Sequence, residues 1–499
     1  MSRTTISTGN ITLDAAAEKK HPDSRRKPGD PTIKKSEHCH LLFLADFSGR
    51  GQRGLNNASS IKTRKVIEVD RDNFDEVFAQ MDVRCALPFA DEIRFSELDD
   101  MHPDYLFEEL DLFNQFRSLK KKLKSPQSFA AAAEEIYAWH SGRQKTQKDS
   151  ANDSSEDVPA GRSLLDSILS GSEPPASGSQ DLQSLVRDIV APYVTPKPDP
   201  QQKELLETVD QAASELMRKL MHHRTFQSLE SAWRSLYLLV RRIDTDSKLK
   251  LFIVDISQQE LIEDAAGAET HDQMQLHKLL VESRSATGAR PLNVIMIDAL
   301  FGESQDDILS LGRLGEIALA SNALLVTGAT PKLAGCEDLG KTPDRDDWHF
   351  SHDPDALADW NTLRVSQQAP NIIAVAPRFL SRLPYGKKSS PIDGFNFEEL
   401  PLREKHSFYL WSNGAWLLSY ILAESFSMSG DVTKQQVFEI ERLPLHVYTQ
   451  DDESMVTPCA EVNMLDSAAS ALAQCGLTVI RSVLNKDAVM VPEIITLAS

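Results

Sequence analysis

Between His40 and Phe47 the chain reads HLLFLADF, an apolar run of the kind that predicts a buried strand. VIEVD, from Val66 to Asp70, and the alternating VRCALPF, from Val83 to Phe89, predict further strands. From about Pro103 to Leu123 the period changes. Leu106, Leu110, Phe113, Phe116, Leu119 and Leu123 recur at steps of three and four, so a helix is expected over this span, with a stripe that another element must cover. A second long helix is expected from near Gln201, with Leu205, Val209, Ala212, Leu216 and Leu220 along one side; it is the natural partner of the first. In HHRTFQSLESAWRSLYLLV, from His222 to Val240, the residues Phe226, Leu229, Trp233, Leu236, Tyr237 and Val240 form a third stripe, which reads as packing. Glu230 stands four positions before Arg234, the favourable order for an ion pair on a helix. From Leu249 onward the strand patterns LKLFIVDI, LNVIMID, NALLVTGA and NIIAVAP alternate with helical patterns such as DDILSLGRLGEIALA. That alternation predicts an α/β fold with a largely parallel sheet.

Polar stretches divide these patterns. Residues 1–37 are rich in Pro and Lys and are expected to be disordered. Residues 38–139 form a first folded unit and 201–499 a second. Between them, 140–200 reads as a flexible linker, because His140 to Arg162 carries almost no apolar residue. A short amphipathic island, SLLDSILSG, interrupts it.

Composition narrows the function. Lys and Arg number 54 against 74 Asp and Glu, a formal charge of −20 that repels phosphate backbones, so no nucleic-acid partner is expected. The basic string RSLKKKLKS falls at a predicted helix end, where lysines complement the helix dipole. No apolar run reaches the roughly 18 to 20 residues that span a bilayer, and the first residues lack the apolar core of a secretory signal. A cytoplasmic chain without membrane insertion is therefore expected. The five cysteines are scattered without a CxxC pair, which suggests neither a disulfide framework nor a zinc ribbon.

Candidate chemistry is sparse. GCEDLGKT, Gly335 to Thr342, fits the letters of a phosphate-binding loop, but PKLA separates it from the preceding strand pattern, Pro343 follows it, and Glu337 and Asp338 would sit inside the cradle. His349 and His352, among Asp346, Asp347, Asp353 and Asp355, match no specific metal spacing. His222 and His223 would point about 100° apart on a helix and do not make a metal pair. Arg378 and Arg382, expected on one helical face, would pair with internal carboxylates such as Glu398 or Glu399. No nucleophile elbow, zinc-protease motif or dinucleotide fingerprint occurs. Neither catalysis nor a cofactor is expected.

Several strings together resemble a known family. LLFLADFSGR at 41–50, VIEVDRDNFDEVFAQM at 66–81 and IRFSELDDMHPDYLFEELDLF at 93–113 resemble the small subunit of the type VI secretion contractile sheath (TssB, or VipA). LMHHRTFQSLESAWRSLYLLV at 220–240, WNTLRVSQQAPNIIAVAPRFLSRLPYG at 360–386, FNFEEL at 395–400, LWSNGAW at 410–416 and LPLHVYTQDDESMVTPCAEVNML at 443–465 resemble the large subunit (TssC, or VipB). In the family the two are normally separate chains. The resemblance therefore implies a small subunit fused to a large one, with an α/β, sheath-protomer-like fold of mixed sheets and a helical pair between the subunits. It places Leu106, Leu110, Phe113 and Phe116 of the first half against Leu205, Val209, Leu216 and Leu220 of the second. The large-subunit resemblance stops near Ser499, before the region that would complete the inner, tube-facing part and its strand-exchange socket, so a C-terminally short large subunit is expected. The implied function is a structural sheath component, with a non-polymerising accessory or regulator as the alternative; the enzymatic alternative, disfavoured by the context of the string, is an ATPase using Gly335 to Thr342. Implied partners are sheath subunits or further copies of the chain, the inner tube, the baseplate, and a disassembling AAA+ ATPase that would recognise Leu164, Leu165, Ile168 and Leu169.

Overall fold

The computed structural model describes residues 36–138, 202–349, 353–400, 406–450 and 452–499. A seven-stranded sheet runs through both halves. Its strands are β1 (Cys39–Ala45), β2 (Ile67–Val69), β3 (Leu249–Asp255), β4 (Val294–Phe301), β5 (Leu324–Ala329), β6 (Ile372–Ala376) and β7 (Leu477–Val479), in the spatial order β7-β6-β5-β4-β1-β3-β2. All neighbouring pairs are parallel except β2 with β3, which closes one edge antiparallel. The predicted α/β class and parallel sheet are observed.

Strand β1 occupies an inner position although it comes from the first half. Leu41 lies between Leu251 and Val294, and Phe43 between Ile253 and Met296. All seven residues of β1 are buried, as the unbroken apolar run requires of a strand covered on both faces. The two-residue period distributes its side chains. Cys39, Leu41, Phe43 and Ala45 enter one apolar core; Leu42 and Leu44 enter the other. The second core is closed mainly by helices of the second half, Gln258–Ala266, Gln305–Ala320 and Pro354–Arg364, with Ile61 of the first half's 3₁₀ turn Ala58–Thr63 joining them.

The first core is covered by helices of both halves. The expected helix at 103–123 is two helices, α1 (Pro103–Glu109) and α2 (Asn114–Leu123), separated by a 3₁₀ turn at Asp111–Phe113. Leu110 adopts extended backbone, φ −77° and ψ 132°, and the Arg117 guanidinium donates to the carbonyls of Leu110 (3.2 Å) and Phe107, satisfying groups that the break frees. Then α3 (Gln202–Met221) and α4 (Arg224–Arg242) follow, and α5 (Ala415–Ser429) packs beside the sheet. Leu106, Phe113, Phe116, Leu205, Val209, Leu216 and Leu220 are fully buried in this one core, and the half-buried Leu110 packs against it. A projecting ribbon at His446–Gln450 and Glu453–Thr457 and a three-stranded sheet at Glu439–Glu441, Arg481–Ser482 and Ala488–Met490 complete the second half.

Two outcomes follow from the position of β1. Phe43→Ala removes a ring stacked on Trp416 (5.1 Å between centroids) at the sheet centre and should cost about 3–5 kcal/mol in denaturant unfolding. Cleavage at a protease site engineered within 140–200 should leave the two fragments co-eluting on a sizing column under native conditions.

Candidate functional site

The geometry that joins the halves is the most elaborated feature of the fold. Trp233 on α4 belongs to the second half, and its indole sits among Phe47, Phe74 and Phe78 of the first, with centroids 5.1, 5.7 and 4.4 Å away. Its Nε1 donates to the Phe47 carbonyl at 2.8 Å, so the one polar atom of the ring is satisfied inside the core. Tyr237, one turn further on, departs from the expected buried stripe: it is 41% exposed and meets Phe74 edge-on. Lower down, Lys120 of α2 pairs with Asp210 of α3 at 2.7 Å, and Phe107 packs on Phe395 at 4.5 Å. Asp104, at the N-terminus of α1, accepts from the amides of Asp393 (3.0 Å) and Gly394 (2.7 Å).

At the carboxyl end of β3 the halves also share charge. Ser257 and Glu260 form a capping box at the start of the helix Gln258–Ala266. Glu260 is fully buried, and its carboxylate receives Arg64 (2.6 Å), Arg50 (3.1 Å) and the amide of Asn57 (2.9 Å), all from the first half. Burial works against its charge, but these donors outweigh it and hold the carboxyl below its usual range. Arg50 also reaches Asp255 at 3.2 Å, and Ser48 donates to Asp255 through both its amide and its hydroxyl. Asp46 nearby is pushed up to about 6, chiefly by burial and then by the Asp255 charge.

A second buried network ties three strings of the second half together. Glu230 and Glu399, both essentially inaccessible, share Arg382: its Nε lies 2.7 Å from Glu230 and its Nη1 2.7 Å from Glu399. Arg234 pairs with Glu230 at 2.6 Å and donates to the Tyr385 hydroxyl at 3.1 Å. His222 stands 3.5 Å from Glu399, and burial lowers its pKa, so two carboxylates are balanced by two guanidinium groups and a neutral imidazole. His223 does not share this place; its Nδ1 accepts from the Thr225 amide and caps α4. Burial would raise the Glu399 carboxyl, but Arg382 and the nearby His222 ring bring it down to about 2.

Arg378 and Arg382 are not on a helix, contrary to expectation. The backbone there is extended because Phe379–Leu380 pairs with Trp411–Ser412. This sends Arg382 to Glu230 and Glu399, and Arg378 to Glu461. Glu399 was among the carboxylates the sequence nominated; Glu230 and Glu461 were not.

The string 335–342 does not have phosphate-cradle geometry. Strand β5 is followed by a 3₁₀ turn, Pro331–Ala334, and no helix begins at Lys341. Lys341 points outward, 81% exposed, and pairs with Asp338 at 3.1 Å. Instead, Gly340 faces the His406 ring: a Cβ there would lie 2.4 Å from Nε2. Asp338, His406 and Glu461 are the one metal-compatible group among the described residues. His349 is outside that group, and His352 lies outside the described residues.

Two family models match, in chain order. Residues 29–137 match "Type VI secretion system, VipA, VC_A0107 or Hcp2", and residues 203–493 match "EvpB/VC_A0108, tail sheath N-terminal domain". The chain belongs to the type VI secretion tail-sheath family. It carries the VipA (TssB) and VipB (TssC) parts in one polypeptide. A curated relative, "Type VI secretion system sheath protein TssC1" of Pseudomonas aeruginosa, is 30% identical over 294 residues, covering 57% of this chain. The chain spans 59% of that relative's length. Membership places the chain among tail-sheath proteins by family. The segment with Leu164, Leu165, Ile168 and Leu169 lies outside the described residues. Among the described residues no helix is long and apolar enough to cross a membrane.

Arg382→Ala in this sheath-family chain would leave two buried carboxylates short of their shared partner and should lower unfolding stability by about 3–5 kcal/mol. Acid should act through Glu399 and Glu461, both held near 2 against an ordinary 4.5. Between those values the unfolded chain takes up protons that the folded chain refuses. Their contribution is thus fully present above 4.5 and disappears as pH falls toward 2. Denaturant midpoints measured from about pH 5 down to pH 3 should fall, and Glu399→Gln should flatten the slope.

Proposed function

We propose that this chain is a ready-made sheath building block, in which one polypeptide supplies both subunits in fixed one-to-one ratio. It works in the cytoplasm through protein surfaces and not through catalysis. The observation that supports this reading is the inner position of β1 between β4 and β3. A first half whose strand is an interior member of the other half's sheet is part of the same body, and not a module that docks and leaves. The tether raises the effective concentration of one half near the other to roughly millimolar, so assembly of the pair needs no encounter between chains. On this reading the block meets sheath subunits or copies of itself, with the inner tube and the baseplate as further partners. The string around Leu164, Leu165, Ile168 and Leu169 is the proposed handle for a disassembling AAA+ ATPase.

Electron microscopy of the purified full chain, alone and with separate sheath subunits added, tests the reading. Helical tubes or rings are expected. Uniform small particles under both conditions would overturn it in favour of a non-polymerising accessory. The non-catalytic part has its own check: ATP binding by the purified chain should be undetectable. Binding that disappears in Lys341→Ala would overturn it.

A further inference from the structure

The glycine and lysine of the string 335–342 stand beside a different chemistry from the one their spacing suggests. We propose that Asp338, His406 and Glu461 bind a divalent transition-metal ion of the zinc class. One imidazole nitrogen and two carboxylates are a donor set that suits zinc, with a fourth position left for water. The candidate ligand atoms all lie within 4.8 Å of one another. His406 Nε2 and Glu461 Oε1 are 3.2 Å apart. Two ligands bound to one tetrahedral ion at zinc distances stand about 3.3 Å from each other, so this pair already has the required separation. Asp338 completes the set by releasing Lys341, whose exposed ammonium now takes the place of a cation on the same carboxylate.

The surroundings fit an ion. The three residues line an open cavity of about 410 Å³ at the carboxyl ends of β5 and β6, together with Thr330, Arg378 and Tyr409. The cavity gives access and room for the ion's water. His406 is fixed from behind, since its carbonyl accepts from Trp411 Nε1 at 2.8 Å and its ring lies 5.0 Å from the indole. The missing side chain of Gly340 lets the backbone of the 335–342 turn lie against the His406 ring. Arg378 is the group that opposes a cation here. It binds Glu461 through its amide, Nε and Nη2, three of the about four acceptor directions that a carboxylate offers, and the direction left over is the one toward His406. It would then act as the outer partner that orients a ligating carboxylate, at a cost in affinity from its charge. A bound ion would cross-link the turn at 335–342, the turn at His406–Phe408 and the segment around Glu461.

The test is titration of the purified full chain with Zn²⁺ against a chromophoric chelator, with visible absorption of the Co²⁺ form as a second readout. One equivalent should bind with a Kd of roughly micromolar, and Co²⁺ should give the intense bands of a four-coordinate site. His406→Ala should weaken binding by at least about tenfold, and Asp338→Asn, a near-isosteric change at a half-buried position on the cavity rim, by a similar factor. His349→Ala, in the separate acidic loop, should bind as the parent does. The proposal is overturned if the parent binds no Zn²⁺, or if Asp338→Asn or a folded His406→Ala retains the parent affinity.

Discussion

Everything in this fold depends on one strand being where its own half of the chain cannot place it. Residues Cys39–Ala45 are hydrogen-bonded on both sides by strands of the second half, and both of their faces lie in apolar cores. A strand with neither an edge nor an exposed face has no stable existence outside that sheet, because its backbone groups and its leucines would both meet water. The linker therefore does not hold two finished domains near each other. It connects two parts of one sheet.

The charges follow the same logic. Glu260 is buried on the second half, and the groups that make its burial tolerable, Arg50, Arg64 and the Asn57 amide, come from the first. An unpaired carboxylate in that position would be costly, so the electrostatics punish separation as the packing does. The network around Arg382 serves a different end. Its members belong to the second half, and they fix the extended string at 377–385 against α4, which in turn presents Trp233 to the rings of the first half.

The elements themselves were legible because their signals are local. Apolar runs located β1, β3, β4, β5 and β6 within about three residues but gave no sign of the short parallel strand β7, and steps of three and four located α3 and α4. The Trp233 stripe read correctly as packing. What it packed against did not, since Phe47, Phe74 and Phe78 reach it only through the tertiary fold. The break at Leu110 was hidden because the apolar stripe continues across it, and the guanidinium that completes it lies seven positions away. The four-residue spacing of Arg378 and Arg382 imitated a helix, although pairing with Trp411–Ser412 kept them extended. Asp338, His406 and Glu461 left no trace at all: His406 and Glu461 alone are 55 positions apart. Spacing rules find ligands that share one helix or one loop, and these share only a cavity wall.

The interior seat of the first strand also sets an order on synthesis. It leaves the ribosome early, while the acidic side chain that Ser48 must meet is 207 positions downstream. Until β3 and β4 have emerged, the run HLLFLA has no neighbours and is a sticky, β-prone segment in search of a sheet. In a split system that vigil would last until a second polypeptide arrived, at a rate set by how much of it the cell contained. Here it ends on a schedule fixed by elongation, so the nascent chain is itself the timer for closing its own core.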